Sequence, residues 1–113
     1  VFQGGLSVSG VHDLRPLVHC DFLRADVPLD LATARRLSPA LLPPATDARL
    51  WTSLGGEESP SFHEQTRMMA SAWKDVFAED IPMPGENHFT VIERLADPSS
   101  ALHRGALRMM GLA

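Results

Sequence analysis

At 113 residues the chain is one domain or part of one, and 44% hydrophobic with 21% charged residues is the make-up of an ordinary globular protein. A net charge of −4 without any lysine–arginine cluster speaks against nucleic acid as a partner, because nothing is available to neutralise a run of phosphates. No apolar run approaches the ~18 residues of a membrane-spanning helix, and the single cysteine, Cys20, excludes an internal disulfide and suits a reducing, cytoplasmic setting.

The chain opens Val1-Phe2-Gln3 instead of with methionine and runs almost directly into a strand-like segment, so we expect sequence upstream of it. Leu6-Ser7-Val8-Ser9-Gly10-Val11 alternates apolar and small polar residues after Gly4-Gly5 and reads as a strand ending at Gly10. His12-Asp13-Leu14-Arg15-Pro16 then leaves the strand as a loop, with Pro16 fixing an extended or turn geometry on Arg15. Two readings of His12-Asp13 stay open: a hydrogen-bonded pair lining a substrate pocket, or a turn in which Asp13 bonds its own backbone.

A weak helical pattern covers Leu17 to Ala25. A better one covers Leu29 to Leu37, with Asp30 as cap and Leu31, Ala34 and Leu37 at helical spacing. Ser38-Pro39 stops it, and Leu41-Leu42-Pro43-Pro44 forms a proline-stiffened connection to a second strand, Arg49 to Leu54. That strand breaks at Gly55-Gly56, where the backbone can turn sharply. Two carboxylates, Glu57 and Glu58, follow. Ser59 and Pro60 then suit the cap and first position of a helix reaching about Phe77, with Phe62, Thr66, Met69 and Trp73 on one face.

Ile81-Pro82-Met83-Pro84 reads as a short edge strand, because two prolines exclude a fully paired central one. His88 follows in a loop. Phe89 to Leu95 reads as helix, and a last helix runs from Asp97-Pro98 through Met110 to Gly111. Trp51 and Trp73 are expected in the core rather than as an aromatic substrate platform, the Met68-Met69 and Met109-Met110 pairs in helix packing, and Cys20 as a packed or partly exposed thiol. Strands alternating with helices argue for α/β architecture with about three parallel strands and flanking helices. Three strands alone leave an unpaired edge that natural proteins usually cover.

Open α/β sheets place their working groups just past the carboxyl ends of strands. Glu58 and His88 both fall there, and an acid followed by a histidine at successive strand ends is the second half of a Ser–acid–His hydrolytic site. No His-x-x-x-His spacing supports a metal site, and no cofactor is expected.

Four blocks carry a resemblance: Ser9-Gly10-Val11-His12-Asp13-Leu14-Arg15-Pro16-Leu17, Leu37-Ser38-Pro39, the run from Gly55 to Gln65, and Asn87-His88-Phe89. In this order they resemble the carboxyl-terminal half of α/β-hydrolases of the kynurenine formamidase (arylformamidase) type, over nearly the whole chain. The resemblance implies that residues 1–113 are the carboxyl-terminal portion of one α/β-hydrolase domain. It implies hydrolysis of an N-formyl aromatic amine, or of a related small ester or amide, within tryptophan catabolism through kynurenine. A general carboxylesterase of the same fold, or a non-catalytic module that pairs with another chain, are the alternatives.

In such enzymes the triad runs Ser, Asp or Glu, His along the chain. Carried over, the acid falls on Glu58 and the base on His88, with Glu57 beside the acid as the off-by-one alternative. The acid is often Asp in the family and is Glu here, one methylene longer. His12 is the candidate substrate-binding residue. Neither Gly-x-Ser-x-Gly nor His-Gly-Gly occurs in the sequence. Ser7 and Ser9 do not replace the former, since neither is expected in a strained elbow with glycine on both sides. The nucleophile and oxyanion donors are therefore expected upstream, the chain alone is expected to show no triad catalysis, and self-association is left open.

Overall fold

The computed structural model describes residues 2–112. Its centre is one sheet of three parallel strands in the order β1 (Gly4–Val8), β2 (Arg49–Gly55), β3 (Phe77–Met83). β1 and β2 run in continuous register from Gly4 opposite Arg49 to Val8 opposite Ser53. Between β2 and β3 the register slips by one residue: Leu50 faces Phe77 and Trp51 faces Glu79, which leaves Ala78 without a partner. The helices are α1 (Leu31–Leu37), α2 (Pro60–Ala72), α3 (Thr90–Glu93) and α4 (Ala101–Met109). This is the α/β arrangement that the alternating pattern calls for.

Capping chemistry sets several boundaries. The Asp30 carboxylate accepts the Thr33 N–H at 2.7 Å and starts α1; the Ser100 hydroxyl accepts the His103 N–H at 3.0 Å and starts α4. Pro60 takes the first turn of α2, where a missing N–H costs nothing. On one face of the sheet Ile81 and Met83 meet Val91 and Leu102, with Leu6, Val8 and Trp51 packed around them. Gly105 lets α4 approach closely, since a Cβ there would run into the Ile81 side chain. Leu102 is fully buried in this cluster. Leu102→Ala is expected to cost about 2–5 kcal/mol through lost transfer energy and the cavity left behind, read as a lower urea midpoint with unchanged slope.

Four expectations need correction. The Leu17–Ala25 helix is instead two 3-10 turns, Arg15–His19 and Asp21–Leu23, because Cys20 between them is extended (φ −87°, ψ 98°). α2 ends at Ala72, not near Phe77. The Trp73 indole N–H donates to Pro39 O and Leu42 O, and Phe77 already belongs to β3, facing Leu50 of β2. β3 is accordingly longer than the Ile81–Pro84 stretch, and it tolerates Pro82 because it too is an edge, needing donors on one side only. The run from Phe89 to Leu95 is a single turn of α3 that tightens into a 3-10 turn at Arg94–Ala96.

Trp51 and Trp73 are half-buried at the core's margin and not at its centre. Trp51 donates to Glu79 at 3.2 Å. On α1 only Ala34 of the expected apolar stripe is buried, while Leu31 and Leu37 stay 44% and 49% exposed. Among the described residues β1 pairs with β2 alone. A groove of about 620 Å³ runs alongside it, walled by Leu6, Val8, Ile92, Leu107, Met109 and Met110.

Candidate active site

β2 and β3 are neighbours and parallel, so the loops leaving their carboxyl ends emerge side by side. Backbone bonds tie these two loops together: Gly56 N–H donates to Met83 O and Glu57 N–H to Glu86 O, both at 2.9 Å. Gly55 sits where they come closest, and a Cβ at that position would collide with the backbone of Glu86 and Asn87. Glycine is required there by the approach of the second loop. A tight turn, with Glu58 N–H donating to Gly55 O at 3.0 Å, then swings the Glu58 side chain back beneath the sheet's end.

The second loop is equally fixed. Gly85 adopts φ +82°, a left-handed conformation open to glycine. Asn87 Oδ1 accepts the N–H groups of Phe89 and Thr90 at 2.8 and 2.9 Å, while Thr90 Oγ1 accepts the Asn87 N–H at 2.9 Å. This reciprocal arrangement resembles a helix capping box. It holds His88 between two anchored residues.

His88 Nδ1 lies 2.7 Å from Glu58 Oε1. The two side chains differ in environment, Glu58 being 1% exposed and His88 49%. A buried carboxylate accepting from Nδ1 fixes the neutral imidazole as the Nδ1–H tautomer, which leaves Nε2 as a proton acceptor. Two rings flank the imidazole: Phe62 at a centroid distance of 5.0 Å and Phe89 edge-on at 5.5 Å. The hollow over the pair measures about 430 Å³ and is bordered by Glu57, Glu58, Phe62, Asn87, His88 and Phe89. Glu57, the alternative acid, is exposed, and its backbone N–H is bonded to the Glu86 carbonyl.

The other oxygen of Glu58 is also engaged. Oε2 accepts the Gly55 N–H and the Ser9 hydroxyl, each at 2.6 Å. Burial alone would push the Glu58 carboxyl up, but the bonds from Ser9, His88 and Gly55 outweigh it and hold the group below its ordinary value of 4.5. Asp13 is lowered likewise, chiefly by the Arg15 guanidinium bonded to both its oxygens and against the opposing effect of burial.

For both carboxyls the folded value lies below the unfolded one. Their contribution is complete above the unfolded value and drains away as pH falls through the folded one. Urea midpoints are therefore expected to fall as pH drops below about 4.5, the Glu58 reference value, and Asp13→Asn should flatten part of that decline.

His12 is 8% exposed, and burial lowers the pKa of its ring. Its Nε2 lies 3.4 Å from Ser7 Oγ, and it is not on the border of the hollow over Glu58 and His88. Its loop is clamped by Gln65, whose Oε1 accepts the His12 and Asp13 N–H groups at 2.9 and 2.8 Å and whose Nε2 donates to Asp13 O. Asp13 also makes the local Asx bond, accepting the Arg15 N–H at 3.0 Å.

Ser9 has Val8 before it and a loop after it, so it forms no strand-to-helix elbow, but its backbone is left-handed, with φ +52°. The strand ends at Val8, earlier than the expected Gly10. Among the described residues no three His, Cys, Asp or Glu side chains converge as a metal site requires, and no helix is long and apolar enough to cross a membrane.

No family model matches the sequence. The chain is 28% identical over 119 aligned positions to a kynurenine formamidase of Salmo salar, covering 96% of this chain and 40% of that protein. It superposes on the crystal structure of a candidate thioesterase from Silicibacter sp. TM1040 with a TM-score of 0.75 and 33% identity, covering 84% of this chain and 35% of the other. The chain thus spans less than half the length of either protein. Together with the three-stranded parallel sheet, these similarities support an α/β-hydrolase-type fold.

Proposed function

We propose that this chain supplies the acid and the base of a Ser–acid–His hydrolytic site, with Glu58 orienting His88. The observation that carries the reading is the pair itself: a buried carboxylate 2.7 Å from the Nδ1 of an imidazole whose other face opens on a hollow. A serine hydroxyl is far too weak an acid to ionise at neutral pH, so a base must take its proton as it attacks a carbonyl carbon. His88 Nε2 takes that proton. Glu58 stabilises the imidazolium so formed and keeps it in place. His88 then protonates the departing amine or alcohol, and a water activated by the same nitrogen cleaves the acyl-enzyme.

The nucleophile and the backbone donors for the oxyanion would come from an upstream half of the domain. That half would pair with the free edge of β1 and cover the apolar groove beside it. Similarity to the salmon enzyme favours an N-formyl aromatic amine such as N-formylkynurenine as substrate. Similarity to the candidate thioesterase favours a second reading, a general ester or thioester hydrolase of the same design. His12 would line the acyl or amine side of the completed pocket. The single cysteine suits a cytoplasmic setting.

The deciding experiment measures hydrolysis of N-formylkynurenine, a p-nitrophenyl ester and a short acyl thioester, by this chain alone and by the chain joined to its upstream half. Activity is expected only in the joined protein, with formamide preferred. Ester or thioester preference would select the second reading, and no hydrolysis of any of the three would overturn both.

A further inference from the structure

We propose that Ser9 is a positioning residue for this hydrolytic site: its hydroxyl and the Gly55 N–H together hold one oxygen of Glu58, so that the other stays aimed at His88. The inference rests on the reading of Glu58 and His88 as acid and base.

Ser9 lies just past the end of β1, forty-nine positions before Glu58, and reaches it across the sheet's carboxyl end. Its own N–H is anchored, donating to Ser53 O at 2.8 Å, so the residue is fixed on β2 before its side chain acts. Its backbone then takes φ +52°. Left-handed backbone is uncommon for any residue with a Cβ, and it clusters at sites where surrounding structure imposes it. The next residue leaves little room for adjustment, since a Cβ at Gly10 would collide with Ser7 Oγ and the His12 ring. A glycine at position 9 would adopt this backbone at no steric cost. What serine adds is the hydroxyl, which meets Glu58 Oε2 at 2.6 Å.

Glu58 needs such an anchor. A glutamate has three side-chain torsions, one more than aspartate, and at 1% exposure protein donors must orient its carboxylate. Gly55 N–H comes from the last residue of β2, three positions before Glu58. Ser9 follows β1 and ties the same oxygen to a second strand end. With Oε2 doubly held, rotation about the last torsion is blocked and Oε1 stays on His88 Nδ1, 2.7 Å away. The same bond stabilises the ionised carboxylate, the form that pairs with an imidazolium.

Ser9→Ala removes the hydroxyl and keeps the left-handed strain; Ser9→Gly removes the hydroxyl and relieves it. Both are compared with Glu58→Gln in the full-length protein. Two readouts are taken: the Glu58 side-chain carboxyl carbon followed by NMR through acid titration, and steady-state kinetics on N-formylkynurenine and a p-nitrophenyl ester. The Ser9 variants are expected to titrate Glu58 at higher pH than the parent and to lose kcat about tenfold, with KM changed less than twofold.

An unmoved Glu58 titration in both Ser9 variants would overturn the inference. So would a Ser9→Gly enzyme that matches the parent while Ser9→Ala alone is impaired, since the backbone and not the hydroxyl would then matter. If Glu58→Gln keeps full activity, the acid reading itself fails and the positioning role falls with it. If Glu58→Gln is inactive while the Ser9 variants are normal, only the Ser9 inference fails.

Discussion

His88→Ala is expected to lower kcat of the hydrolytic protein by a factor on the order of 10⁴–10⁶, with KM nearly unchanged. The size follows from what the imidazole does twice in each half-reaction. Without it the attacking oxygen must shed its proton to water, and the leaving group must depart as an anion or find a proton elsewhere. Positioning of substrate and oxyanion donors would survive, so a residual rate above that of water is expected. Stability should change little. The His88 side chain is 49% exposed, and its loop is held by Asn87, Thr90 and backbone bonds that do not involve the ring. Circular dichroism and urea unfolding check that the fold persists, and single-turnover assays check the rate. A variant keeping more than a tenth of the parent's kcat would remove His88 from the mechanism.

The sheet was legible in the sequence because its signals are local. Gly55-Gly56 marks the end of β2 where the backbone turns, and the Asn87-His88 loop follows β3 where parallel order demands a crossing. Two loops at the ends of adjacent parallel strands must lie close together, so the meeting of Glu58 and His88 follows from topology once the strands are placed. What escaped is what neighbours impose. Nothing in Trp-Lys-Asp-Val-Phe announces that Trp73 ends a helix. The bonds to Pro39 and Leu42 that hold its indole are thirty-odd residues away. Nothing around Glu79 in the sequence announces the bonds it takes from Trp51 and Arg108 across the fold. The sign of φ at Ser9 is likewise set from outside, by Ser53, Glu58 and the packing around Gly10. The Leu17–Ala25 pattern failed for the opposite reason: its periodicity was apolar enough, but the extended backbone at Cys20 interrupts it.

Glu58→Gln is expected to cost kcat about 10⁴-fold while leaving the side chain's volume and position almost intact. The loss comes from a mismatch of donors and acceptors. The carboxylate accepts at both oxygens, from His88 Nδ1–H on one side and from Ser9 and Gly55 on the other. An amide has one oxygen and one NH₂ group. The Gly55 N–H cannot rotate or turn acceptor, so the amide oxygen must face it, and the NH₂ must face His88. Nδ1 can then be satisfied only by accepting, which moves the imidazole proton to Nε2, the nitrogen that should take the nucleophile's proton. The variant would thus hold a well-ordered histidine in the wrong tautomer. Nitrogen-15 NMR of the His88 ring distinguishes this from simple loosening: an Nε2–H tautomer is expected in Glu58→Gln and an Nδ1–H tautomer in the parent, each with the ring neutral. Substituting Glu57 by glutamine serves as the comparison: that side chain borders the hollow but is exposed, and His88 Nδ1 bonds Glu58 instead, so the tautomer should stay as it was and the rate should fall less than tenfold. A parent-like rate in Glu58→Gln, or a tenfold or greater loss in the Glu57 variant, would move the acid away from Glu58.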